Sequence, residues 1–164
     1  MVSRRLLLSS LVMSFALACG KPTTDGTMFG PGDMLGPYLA IGDTLAADAV
    51  EPLPELGPRL VAAAEGHASE PGVEAIVQGA GRIGAQDLEA ARTTYEALSK
   101  GMIQYLAAHP EQRDGHVLVH CPMTFDGKGA LWVQKVGKIM NPYEGSRMLH
   151  CGDKLGWDAE LPKT

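Results

Sequence analysis

The chain has 164 residues, enough for one domain with a substantial core. A hydrophobic share of 45% argues against a disordered chain, and an aromatic share of only 5% favours close-packed helices over a β-sandwich. The formal charge is −5 and no basic patch lies beyond the N-terminus, which argues against a nucleic-acid partner.

Arg4 and Arg5 form a positive start, and Leu6 to Ala18 form an apolar run that ends in small residues. The pattern predicts a secretory signal over 1–18, too short to span a bilayer. Ala16-Leu17-Ala18-Cys19-Gly20 resembles the lipobox of bacterial lipoproteins, although Leu17 stands one place later than the usual leucine. Cleavage before Cys19 and acylation of its thiol would anchor the chain in the membrane. Removing the signal leaves 12 basic side chains against 19 acidic ones, a formal charge of −7. Residues 19–32, rich in Gly, Thr and Pro, read as a flexible tether. The expected location is the cell envelope, facing the periplasm. Gly20, in place of the aspartate that retains lipoproteins at the inner membrane, favours the outer one.

A first helix is expected from Asp33 as N-cap, with Pro37 in its opening turns and Leu35, Tyr38, Leu39, Leu45 and Ala49 on its buried face. After the Glu51-Pro52-Leu53-Pro54 break, a second helix runs from about Pro54 to Glu65, with Gly66 as its C-cap. Ser69 is expected to cap a weaker third helix carrying Val73, Ile76, Val77 and Ala80. The fourth helix is the clearest. Asp87 starts it and Pro110 ends it, and Leu88, Ala91, Tyr95, Leu98, Met102 and Tyr105 form a bundle seam, with Glu96 and Lys100 pairing outside.

The period then changes. His116 to His120 alternates as a strand, Asp126-Gly127 signals a turn, and Ala130 to Val133 returns as a second strand. Ser146 to Cys151 reads as a short strand or an extended segment, and 156–164 as a polar tail. The expected architecture is mainly α: an antiparallel bundle of about four helices with a small C-terminal β-hairpin, together occupying 33–155.

Gly79-Ala80-Gly81-Arg82-Ile83-Gly84 spells a dinucleotide-binding fingerprint, but no strand precedes it, so close helix contact or a turn is the better reading. His67 and His109 stand at helix ends, where capping is their ordinary role. No serine-protease, zinc-protease or Cys-x-x-Cys pattern is present, and the chain is not expected to be an enzyme.

Two soft-donor clusters stand out: His120-Cys121-Pro122-Met123 and Met148-Leu149-His150-Cys151. Thiolate and thioether together select Cu(I) among biological metals. Cys121 and Met123 are two apart and would share a face if the strand continued. If the two limbs approach each other, Cys121, Met123, Met148 and Cys151 would surround one soft cation, with His120 and His150 completing or tuning the site. The alternative is a Cys121–Cys151 disulfide, which an oxidising compartment permits. By chain entropy, closing a loop of roughly 30 residues would stabilise the domain by about 3–4 kcal/mol. Reduction state decides between the two, since only the reduced pair can take the metal.

The string His120-Cys121-Pro122-Met123, Gly127-Lys128-Gly129-Ala130-Leu131-Trp132, Asn141-Pro142-Tyr143-Glu144-Gly145 and Met148-Leu149-His150-Cys151-Gly152 resembles a family of bacterial envelope domains of unknown function. Arg92 to Ser99 is similar to that family's Arg-x-x-Phe-x-x-Leu-Ser helix, with Tyr95 for Phe, and Val133 replaces a Leu. Such domains occur as lipoproteins and fused to periplasmic adaptors of heavy-metal efflux systems of the resistance-nodulation-division type. The resemblance implies a helical domain in a copper or silver context, with an efflux adaptor as partner. It implies roles for Cys121, Met123, Met148 and Cys151, and a structural role for Trp132, Asn141, Pro142, Tyr143 and Gly145. The expected function is soft-metal binding, Cu(I) foremost, as buffer or efflux accessory. The alternative is a non-enzymatic interaction module stapled by the disulfide.

Overall fold

The computed structural model describes residue 30 and residues 32–162. The expected signal, the lipidated Cys19 and most of the tether lie outside the described residues. Four helices come first: α1 (Leu35–Ala46), α2 (Leu53–Ala64), α3 (Val73–Ile83) and α4 (Leu88–Ala108). Each packs on the next, and α1 closes back on α4. Three strands follow: β1 (His116–Cys121), β2 (Ala130–Lys135) and β3 (Asp153–Leu155). They form an antiparallel sheet in the order β2-β1-β3 that leans on α4 and α1 through β2. The protein is thus mainly helical with a C-terminal sheet, but that sheet has three strands where a hairpin was expected.

The helix ends follow local chemistry. Asp33 accepts the Gly36 N–H at 2.9 Å, and Asp87 accepts the Ala90 N–H at 2.9 Å, so both expected caps satisfy an otherwise orphaned donor. α1 stops at Ala46 because Asp48 turns left-handed (φ 57°), so Ala49 lies beyond the helix. Gly66 falls inside a 3-10 turn (Glu65–His67) and is not a C-cap. α3 begins after Gly72 rather than at Ser69. The glycine-rich stretch of the apparent fingerprint lies within and just beyond α3, where a side chain at Gly79 would come within 2.8 Å of Leu98 on α4. Close helix contact, and not phosphate binding, accounts for that glycine. Glu96 and Lys100 pair at 2.7 Å on the outer face of α4, as their spacing requires.

One continuous core spans the helices and the sheet. Five aromatics meet at its junction, and all four tyrosines are buried. Tyr38 stacks on Tyr95 with ring centroids 5.1 Å apart, and Tyr143 leans on Tyr95, Phe125 and Trp132. The Tyr38 hydroxyl accepts the Val133 N–H at 3.1 Å and shares a hydrogen bond with Ser99, so α1 ties strand β2 to α4. The expected polar tail also contributes to the fold. Trp157 donates to the His116 carbonyl at 3.3 Å and lies under the Arg113 guanidinium.

Candidate functional site

The site is assembled by the strand that the sequence pattern did not reveal. β1 and β3 pair with Leu118 opposite Leu155, Val119 opposite Lys154 and His120 opposite Asp153. One step further along this register brings Gly152 opposite Cys121, which sets Cys151 beside the end of β1. Gly152 has φ 140°, and a side chain there would reach within 2.8 Å of Val119 and 3.1 Å of Trp132. Only glycine lets the chain close this tightly.

Cys121 is buried and Cys151 half-buried, and both are free thiols. The Cys121 thiol hydrogen-bonds with that of Cys151. Hydrogen bonding to Cys121, burial and the nearby carboxylates of Glu144 and Asp153 push the Cys151 thiol up to about 11. At neutral pH Cys151 therefore holds its proton and is no activated nucleophile. A soft cation would have to displace that proton on binding.

The limb that carries Cys151 is fixed by a buried hub, Asn141. Its Oδ1 accepts the N–H groups of Tyr143 (2.9 Å) and Glu144 (3.1 Å), and its Nδ2 donates to the Cys151 carbonyl at 3.2 Å. The Asn141 N–H donates to the Leu149 carbonyl at 2.8 Å. Tyr143 in turn donates its hydroxyl to the Leu131 carbonyl on β2 at 2.8 Å. The Asn-Pro-Tyr turn thus sets the approach of the two limbs.

A second clamp comes from α4. Arg92 donates to the carbonyls of Pro142 and Leu45, each at 3.0 Å, and to Asp48 Oδ1 at 2.6 Å. Asp48 Oδ2 accepts the Ser146 N–H at 3.0 Å. Ser146 and the Arg92 guanidinium hold the Asp48 carboxyl down at about 2. Gly145 sits in the left-handed region (φ 53°), and any side chain there would overlap Asp48 and Arg92. The sequence carried Arg92 as part of a helix motif, but not its reach across two loops. Neither Asp48 nor this clamp was anticipated, because their partners lie 44 to 50 residues from Arg92.

β1 ends at Cys121, and Met123 has helical dihedrals (φ −85°, ψ −15°), so the shared strand face ends before it reaches Met123. Met123 and Met148 line a cavity of about 800 Å³ together with Phe125 and Tyr143, and neither cysteine is on its wall. Phe125 and Asp126, at the tip between β1 and β2, are both left-handed (φ 53° and 57°). Non-glycine residues in such conformations cost about 1–3 kcal/mol each and concentrate at functional sites.

The two histidines stand in other surroundings. His120 follows the strand alternation away from Cys121, and a side chain at Gly129 would come within 2.7 Å of its Nε2. His150 is exposed and its Nδ1 donates to the Ile139 carbonyl at 2.7 Å. Among the described residues no group of three or more His, Cys, Asp or Glu side chains is arranged to hold a metal ion. A soft-cation site here would rest on sulfur: the two thiols, or the two thioethers. Met102 is core, as its helix-seam position requires, and Met140 is exposed.

His67 and His109 do more than cap. His109 bonds Glu70 through Nε2 and Glu111 through Nδ1 at 3.2 Å, and His67 Nδ1 meets the other Glu70 oxygen at 2.9 Å. Both rings also pack against Tyr105. Among the described residues no helix is long and apolar enough to cross a membrane.

No family model matches this chain, nor does any curated protein or solved structure.

Proposed function

We propose that the protein is a lipid-anchored component of the bacterial envelope that binds a soft metal ion, Cu(I) foremost, through Cys121 and Cys151. It holds the ion as a buffer or passes it to a heavy-metal efflux adaptor. The observation that carries the reading is the pairing of two free thiols by β1 and β3, one buried and one reachable from solvent. Two adjacent thiolates suit a soft monovalent cation, and no hard-ligand cluster among the described residues competes for it. The half-buried Cys151 gives the ion a route in and out. The resemblance of the Cys-Pro-Met and Met-Leu-His-Cys-Gly segments to efflux-associated envelope domains supports the same context. The high proton affinity of Cys151 favours a non-enzymatic role.

The same thiol proximity supports a second reading, a disulfide that staples an interaction module. Intact mass and metal uptake separate the two. Protein isolated from the envelope with both thiols free, and taking up Cu(I), supports the metal reading. Protein isolated two protons light that takes up no metal after reduction supports the staple.

A further inference from the structure

The cavity beside the thiol pair has features the thiol pair does not use. Met123 is 60% exposed, so its thioether is open to solvent, and Met148 shares the same wall. Of the charged groups there, Arg92 is committed to Asp48 and Arg147 to Glu144. Glu89 and Asp126 line the cavity too, and among the described residues neither carboxylate has an ion-pair partner. The wall therefore presents two neutral soft donors and two uncompensated negative charges. Both methionines stand on fixed backbone. The left-handed turn at Phe125 and Asp126 holds one side, and the Asn141 hub and the Arg92–Asp48 clamp hold the other.

We infer that this cavity is a second, outer soft-cation site in which the Met123 and Met148 thioethers bind a monovalent ion independently of the cysteines. Thioethers select the soft ion without supplying charge. Glu89 and Asp126 attract it and offset its charge from the cavity wall. The inference rests on the soft-metal reading for the identity of the ion, but its donors are different, so the two can fail separately.

Ag(I), which needs no reductant to stay monovalent, is the probe, and native mass spectrometry of the full chain counts bound ions. With Cys19→Ser as background, two equivalents are expected. Adding Cys121→Ala and Cys151→Ala should leave one, and adding Met123→Leu and Met148→Leu to that variant should remove it. Because Cys121 is buried, the methionine pair is also replaced with the thiols intact, where one of the two equivalents should be lost. An outer site is overturned if the thiol-free variant, folded by circular dichroism, binds no Ag(I). It is equally overturned if its one ion survives the methionine replacements. In both cases thiol-dependent binding in the background protein would leave the first proposal standing.

Discussion

Asn141 Nδ2 donates to the carbonyl oxygen of Cys151 at 3.2 Å, while the Oδ1 of the same side chain caps two backbone N–H groups of its own turn. One buried amide thus fixes both the turn and the cysteine limb. Asn141→Ala would leave two buried N–H groups and a carbonyl without partners, each costing about 1–3 kcal/mol. The expected loss is about 3–5 kcal/mol, read as a fall in urea midpoint. The freed limb should also expose Cys121, so alkylation of that thiol under native conditions should become faster.

Acid should loosen the same region through Asp48. Its carboxyl is held at about 2, below the ordinary 3.8, by Ser146 and Arg92. A depressed carboxyl contributes stability that is full above the ordinary value and is lost as pH falls through the folded one. The clamp should therefore weaken between about pH 4 and about pH 2, and Asp48→Asn should flatten that part of the stability profile. The measurement is denaturant unfolding across that range for both proteins.

The far end of the bundle should respond in the opposite sense. Hydrogen bonding to Glu70 raises His109 above the ordinary 6.5, and the bond from His67 chiefly lowers Glu70. The His109 contribution is full below the ordinary histidine value and is lost as pH rises through the folded one. The Glu70 contribution is lost in the other direction, as pH falls below the ordinary carboxylate range. Stability from this cluster should peak in mildly acid solution and decline as pH rises past the ordinary histidine value and through the raised one of His109. His109→Gln should remove the decline.

Metal uptake should depend on pH through Cys151. With its thiol held up to about 11, binding must release that proton. The affinity for Cu(I) should then rise about tenfold per pH unit for each thiol proton displaced. Titrations between about pH 6 and about pH 8 test this, and a flat profile would mean that Cys151 is not a ligand.

Much of the fold was legible because local chemistry and tertiary packing agree. α4 announced itself through Asp87, Pro110 and a seam whose Ala91, Tyr95, Leu98, Met102 and Tyr105 are all buried. β1 and β2 were legible from alternation and the glycine-rich turn. β3 was not, since Asp153-Lys154-Leu155 is three residues long and is a strand only because β1 is there to pair with. That strand brings the thiols together, so their meeting was an expectation from composition and resemblance alone. The shared face expected for Cys121 and Met123 rests on a strand period that stops at Cys121, and both thioethers line a cavity whose wall holds neither cysteine. Ser69 reads as the start of α3 because side-chain capping is visible in sequence. What favours Gly72 is its left-handed backbone pressed against Gly101, and that is not visible.

The central claim is that Cys121 and Cys151 together bind Cu(I). Its most direct test is competition of the reduced protein, with Cys19→Ser as background, against a chromogenic Cu(I) chelator. Either Cys121→Ser or Cys151→Ser should abolish the high-affinity withdrawal of copper from the chelator. Withdrawal of unchanged strength in either variant would contradict the claim.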